Sequence, residues 1–312
     1  MYLEKRKVKG KRKYYLSHSF REGGKVHKIR HLLGVDLSEE VLKDRKEKAE
    51  KLILEEISQH KIISDPLVNP LSDEELEFIR KLESKENLKV FHLSEKQWEA
   101  FSELFTYDTN AIEGSTLDNK EVREILKENK WPDKPKRDIA EAYGVRDAIK
   151  FIRGTKDQLS LELIKEIHKI VFKNSKSFAG EFRKPREEVA IRNSLGEIVH
   201  MGAPQSRVVS LLNELVEWYN KNRSKYPTLL LAIVVHNQFE NIHPFRDGNG
   251  RVGRILLNNL LIKHGLPPVN ISFKNRKEYY KTLQAYDKEH NLRPSIDFII
   301  KEYKEMKKKL GK

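Results

Sequence analysis

The stretch NIHPFRDGNGRVGR, residues 241–254, concentrates groups that could handle phosphate. A glycine-containing turn that enters a helix at Asn249 offers unpaired backbone N–H groups and the positive end of a helix dipole. Together these make an anion site, and Gly248 and Gly250 let phosphate oxygens approach the backbone closely. Arg251 and Arg254 stand three residues apart, on one face of such a helix, and two guanidiniums suit a polyphosphate. Asp247 precedes the glycines and could hold Mg²⁺ on those phosphates. His243 lies four residues earlier in the same loop, where a neutral imidazole can take a proton from an incoming hydroxyl near neutral pH. A base, a metal ligand, an anion hole and a charge clamp are the parts needed for attack on a nucleotide phosphate.

Other glycine loops fit less well. GNGRVG satisfies the dinucleotide-binding pattern. That fold, however, needs a strand directly before the first glycine and an acid roughly 20 residues after the motif. Here residues 236–247 separate the apolar run LLLAIVV (229–235) from Gly248, and PVNISFK at 268–274 carries no acid. There is no Walker A pattern. VAIR at 189–192 echoes a kinase lysine strand but precedes the glycine loop, and the other kinase signatures are missing.

The elements that must position these residues read as mostly helical. Helical patterns cover 38–56, then about 118–129, 137–153, 160–174, 205–221, 227–241, 249–264 and 275–287, with a last one from about 295. Ser72 with Glu75, and Ser94 with Gln97, form capping boxes before LEFIRKL and WEAFSELF. EEVAIRNSLGEIVHMG (187–202) breaks the pattern with two β-prone runs around a turn-like NSLG, which reads as an inserted hairpin. In the first 35 residues KRKYYLSHSF and KVHKIRHLLG flank REGG, the signature of a second hairpin. His236, on an apolar helix, reads as a core histidine, and Tyr279 and Tyr280 as packing residues.

The chain has 312 residues, a formal net charge of +14 and no cysteine, so disulfides, cysteine metal sites and a thiol nucleophile are excluded. The charge is uneven. Residues 1–30 hold eleven Lys or Arg against Glu4 and Glu22, a net of +9. A basic tip of this kind serves an acidic partner, nucleic acid or solubility. The longest apolar run falls well short of the about 18 residues needed to span a bilayer, and no secretory signal follows the basic start. A cytoplasmic protein without membrane contact is expected.

The central stretch resembles the Fic family, whose signature reads H-P-F-x-x-G-N-G-R-x-x-R. Residues 243–254 match every fixed position, and Asp247 is the favoured acid. HNQFENI (236–242) is similar to the family's preceding helix, and the resemblance spans about 93–300. It implies a helical core with an inserted β-hairpin flap, and transfer of AMP from ATP to a Ser, Thr or Tyr hydroxyl of a target protein. In that family His243 is the base and Asp247 the Mg²⁺ ligand. Gly248, Asn249, Gly250 and Arg251 surround the α- and β-phosphates, and Arg254 reaches the γ-phosphate. Gly250 follows the AMP-transferring form, since phosphate-transferring relatives carry Lys there. GEFRK (180–184) and the hairpin at 187–202 look like the family's target-clamping flap. TNAIEG (109–114), in a helix expected at about 105–114, matches its inhibitory pattern [ST]-x-x-x-E-[GN]. That match implies that Glu113 occupies Arg254 and blocks the γ-phosphate.

Three parts are expected on this basis: a basic β module at 1–35, a helical connection at 36–92 and a Fic domain at 93–312. The β module also resembles small modules at the start of some transposase-like proteins, which implies nucleic-acid docking; docking of a target protein is the alternative. AMP transfer with self-modification is the leading reading. AMP removal at the same site is a second, and a nucleotide-sensing nucleic-acid-binding regulator a third. The target protein and any oligomer are not legible.

Overall fold

The computed structural model describes all residues except 23–24, 85–87, 186, 188, 193–197 and 312. The chain divides into two compact units, Met1–Ile62 and Ile63–Lys312.

The first unit is an antiparallel sheet of β1 (Tyr2–Val8), β2 (Lys11–Glu22) and β3 (Lys25–Val35), followed by α1 (Glu39–Ser64). The hairpin expected at 11–34 is present as β2 and β3, and β1 adds a third strand along β2. The β character read for the first 35 residues thus includes YLEKRKV, whose charges fall on both faces of the strand. Charged residues are common on edge strands, where they discourage further pairing. Alternation sends Tyr14, Leu16, Ile29 and Leu33 to one face, where they form a core with Ala49 and Ile53 of α1. The compact unit runs to residue 62 and so takes in α1 together with the sheet. A cut after residue 35 would strip the sheet from the helix that covers it.

The second unit is helical. α2 (Asp73–Glu83) and α3 (Glu95–Ile112) start at Ser72 and Ser94, and both capping boxes form as read from the sequence. Then come α4 (Asn119–Glu128), α5 (Lys136–Gly154) and α6 (Leu161–Phe172). The inserted hairpin follows as β4 (Ala190–Arg192) and β5 (Ile198–Met201), paired antiparallel. The predicted NSLG turn lies outside the described residues. α7 (Val208–Asn222), α8 (Thr228–Ile242), α9 (Asn249–Lys263), α10 (Arg276–Glu289) and α11 (Arg293–Leu310) complete the unit.

α8 and α9 pack against each other, and both are buried almost all round. A helix buried on every side is the centre of its domain, so the loop between α8 and α9 is anchored at both ends by the best-packed part of the unit. That loop is residues 243–248. Among the described residues no helix is long and apolar enough to cross a membrane.

Candidate active site

His243 ends α8 in the left-handed conformation, at φ 52° and ψ 60°. Three contacts hold it there. Its N–H donates to the Phe239 carbonyl at 2.9 Å, and its carbonyl accepts from Arg183 Nε at 3.0 Å. Its Nδ1 lies 3.2 Å from the Glu240 carbonyl oxygen. A carbonyl can only accept, so Nδ1 carries the proton and Nε2 is the basic nitrogen of the neutral ring. Arg183, from the GEFRK segment, is itself buried, and it also reaches the carbonyls of Glu187 and Ala203 at the base of the hairpin.

Asn249, the first residue of α9, closes the loop on itself. Its Oδ1 accepts from the Phe245 N–H and its Nδ2 donates to the Phe245 carbonyl, each at 2.8 Å. The side chain is thereby committed to the loop. What Asn249 offers an anion is its backbone N–H at the helix start, beside those of Gly248 and Gly250. Gly248 has φ +86°, and a Cβ there would lie 2.3 Å from the Phe172 ring. Only glycine makes this turn without displacing that ring.

The two arginines of the motif part company. Arg254 lines a cleft of about 1000 Å³ together with His243, Asp247, Gly248, Asn249, Gly250 and Glu113. Arg251 is buried toward α5, paired with Glu141 and 3.4 Å from Asn110 Oδ1. The shared face that spacing suggested is split by what packs beside it.

TNAIEG ends α3 directly against α9. Thr109 and Glu113 are one turn apart on the helix, so they share a face. Thr109 Oγ1 accepts from Arg254 Nε at 2.8 Å and its carbonyl from Nη2 at 3.0 Å; Glu113 Oε1 accepts from Nη2 at 2.7 Å. Burial opposes the Arg254 charge, but Glu113, Tyr279 and Glu240 together outweigh it and hold the guanidinium above its ordinary pKa. A Cβ on Gly250 would lie 2.2 Å from Glu113 Oε1, so the carboxylate reaches over the glycine of the cradle.

Asp247 is half-exposed, with Oδ2 2.7 Å from Lys176 Nζ and Oδ1 3.9 Å from Arg251. Burial alone would raise its carboxyl. The Lys176 hydrogen bond and the charges of Lys176 and Arg251 outweigh that effect and hold it below its ordinary value. The group is therefore ionised at neutral pH. One exposed carboxylate beside an anion cradle fits the donor set Mg²⁺ prefers, with one or two carboxylates and the remaining ligands from phosphate and water.

Several residues of this site were not foreseen. Lys176 bridges Asp247 and Glu141. His168, on α6, meets the Asp247 carbonyl through Nε2 at 3.1 Å and accepts the Gly180 N–H at Nδ1. Burial lowers its pKa to about 4, so it is neutral, and it stacks on Phe245 at 3.9 Å. Glu240 lines the cleft with its carboxyl buried; burial pushes its pKa up to about 8, Glu113 adds to the rise and Arg254 opposes it. His236 is buried and meets the Tyr279 hydroxyl at 2.9 Å, as a core histidine should, while Tyr280 donates to the Ile112 carbonyl at 3.3 Å.

A buried helix–loop–helix thus presents His243, Asp247 and the N-terminus of α9 to one cleft. Residues 158–261 match the sequence model of the Fic/DOC family, so the chain carries a Fic domain there. It is 32% identical over 209 residues to protein adenylyltransferase fic-1 of Caenorhabditis elegans, covering 64% of this chain and 39% of that protein. It is 32% identical over 200 residues to protein adenylyltransferase Fic of Aedes aegypti, covering 62% and 38%. The chain thus spans under half the length of these relatives. Among solved structures, the fold is similar to residues 134–508 of Fic-1 from C. elegans, with a TM-score of 0.59 at 24% identity over 88% of this chain and 78% of that one. It is also similar to a Fic-domain signalling protein of Bacteroides thetaiotaomicron, with a TM-score of 0.58 at 22% identity over 83% and 92%.

Proposed function

We propose that this protein transfers AMP from ATP to a Ser, Thr or Tyr hydroxyl of a target protein, and that Glu113 restrains it. The observation that carries the reading is the tautomer of His243. Its Nδ1 is committed to the Glu240 carbonyl, so Nε2 is the base, in the same cleft as the start of α9. The names of the relatives support the same activity.

The target hydroxyl oxygen attacks the α-phosphorus, and its proton passes to His243 Nε2. The bond from the α-phosphorus to the bridging oxygen breaks, and pyrophosphate leaves with the electron pair. The backbone N–H groups of Gly248, Asn249 and Gly250 receive the phosphate charge without having to reorganise. Arg251, anchored by Glu141, adds positive charge behind them. Arg254 takes the γ-phosphate once Glu113 releases it. Asp247 would hold Mg²⁺, which neutralises phosphate charge when bound. The hairpin β4–β5 is the proposed docking strip for an extended target segment, by strand addition.

A second reading rests on Glu113, which lines the same cleft as His243 and can orient a water for the reverse reaction, removal of AMP. One experiment separates the two. The protein and its His243→Ala variant are incubated with α-labelled ATP and cell lysate, and labelled proteins, the chain itself included, are identified by mass spectrometry. A target labelled separately by the Glu113→Gly variant is then given to fresh wild-type enzyme without ATP. Label gained in the first step and kept in the second supports transfer. Absence of His243-dependent label, with loss of AMP in the second step, assigns the protein to removal.

A further inference from the structure

The sheet of the first unit has a second face that the Fic reading does not use. Residues paired across an antiparallel ladder share a face. The register therefore puts Arg6 and Lys13 in one row, Glu4, Tyr15 and Leu32 in the next, and Tyr2, Ser17 and Arg30 in a third, with Lys28 beside Ser19. This face is opposite the one that Ala49 and Ile53 of α1 cover. Arg6, Lys28 and Arg30 are each about half exposed, and Tyr2 and Leu32 are open to solvent as well. Among the described residues the face carries one acid, Glu4. Its carboxylate is enclosed by Arg6 at 3.0 Å, Lys28 at 2.6 Å and Arg30 at 4.0 Å.

The aromatic rings are interleaved with this charge. Arg30 lies 4.8 Å from the Tyr15 ring centroid, Arg6 5.9 Å from the same ring, and Lys28 5.6 Å from that of Tyr2. These contacts and the Glu4 bridge order the long side chains before any ligand arrives, which lowers the entropy lost on binding. A merely solubilising surface mixes both signs of charge over its whole area. Here Arg6, Lys13, Lys28 and Arg30 share the face opposite the one α1 covers, while Lys5, Lys7 and Arg12 lie on the other.

We propose that this outer face binds duplex DNA, largely through its phosphates. Rows of fixed cations on a flat sheet match a surface of regularly spaced negative charge. The major groove of B-form DNA admits β-strands, whereas that of A-form RNA is too deep and narrow for side chains to read. Tyr2, Tyr15 and Leu32 supply apolar contact between the phosphate-binding cations.

The test uses the full chain and a fluorescein-labelled 20-base-pair duplex DNA of mixed sequence, followed by anisotropy at 50 and 200 mM salt. Wild type is expected to bind and to weaken steeply with salt. The Lys13→Gln, Lys28→Gln, Arg30→Gln variant should bind at least tenfold more weakly, with its log–log salt slope reduced by about three. A control variant with Lys43→Gln, Lys46→Gln and Lys51→Gln on α1 removes the same charge elsewhere and should bind within about twofold of wild type. His243→Ala should leave binding unchanged, so the result does not depend on AMP transfer. Absence of wild-type binding, equal loss in face and helix variants, or tighter binding to a duplex RNA of the same sequence overturns the proposal.

Discussion

Glu113 Oε1 lies 2.7 Å from Nη2 of Arg254, and Thr109, one turn earlier, holds the same guanidinium through its hydroxyl and its carbonyl. The end of α3 thus occupies the arginine at the far end of the anion cradle, and the carboxylate reaches over Gly250 to do so. A γ-phosphate arriving at Arg254 would meet this carboxylate. ATP that binds around it would present a displaced α-phosphorus, and small misplacements cost about 10²-fold in rate. Glu113→Gly is therefore expected to raise AMP transfer, self-modification included, by up to about that factor. The gain should vanish in the Glu113→Gly, His243→Ala double variant, because relief of restraint cannot replace the base. Labelling with α-labelled ATP checks all four proteins, and unchanged labelling in Glu113→Gly would place the restraint elsewhere.

On the proposed mechanism His243→Ala removes the general base, and transfer is then expected to fall by about 10²–10⁴-fold. ATP affinity should change little, because the phosphates meet the start of α9 and the arginines. Isothermal titration with ATP, set beside the labelling rate, separates the two effects. A matching loss of ATP affinity would make His243 a binding residue instead.

Asn249→Ala tests whether the loop is braced as described. The substitution leaves the buried N–H and carbonyl of Phe245 without their partner, which costs about 1–3 kcal/mol. The melting temperature should fall by several degrees, and transfer should fall more than ATP binding, because the loop carries His243. Wild-type melting and activity together would show that the α8–α9 turn holds its shape without this ring of bonds.

Much of this site could be read from residues 241–254, because there the chemistry is local in sequence. His243, Asp247 and Gly248 within one loop, with Gly250 in the first turn of α9, constrain one another wherever the chain goes. What could not be read depends on contacts from distant segments. Lys176 and His168 steer Asp247 from α6 and the turn after it, and nothing in their own neighbourhoods marks them. The divergence of Arg251 from Arg254 follows from Glu141 on α5 and Glu113 after α3, which no spacing within α9 encodes. In the first unit the hairpin was legible from its turn residues, whereas the partner of β1 was not, because its charges give no alternation to match. The unit's limit at residue 62 follows from Ala49 and Ile53, which look like ordinary helix residues until the sheet lies on them.

Glu240 makes the site sensitive to pH in a direction that can be worked out. Its carboxyl is buried beside Arg254 and Glu113, and burial raises its pKa from 4.5 to about 8. The folded protein therefore holds a proton that the unfolded chain has lost between those values. Stability tied to this proton is complete below pH 4.5 and declines as pH rises toward 8, because the unfolded state binds fewer protons across that window. At neutral pH the carboxyl is neutral, which leaves Glu113 as the charged partner of Arg254. Glu240→Gln retains the shape and removes the titration. The variant should melt close to wild type near pH 4.5 and increasingly above it as pH rises to 8. His243 should keep its tautomer, since its Nδ1 uses the backbone carbonyl of residue 240 and not the side chain. Melting curves of the two proteins at half-unit steps from pH 4.5 to 8.5 check the prediction. Parallel curves across that range would mean that Glu240 keeps its charge in the fold and pairs with Arg254 alongside Glu113.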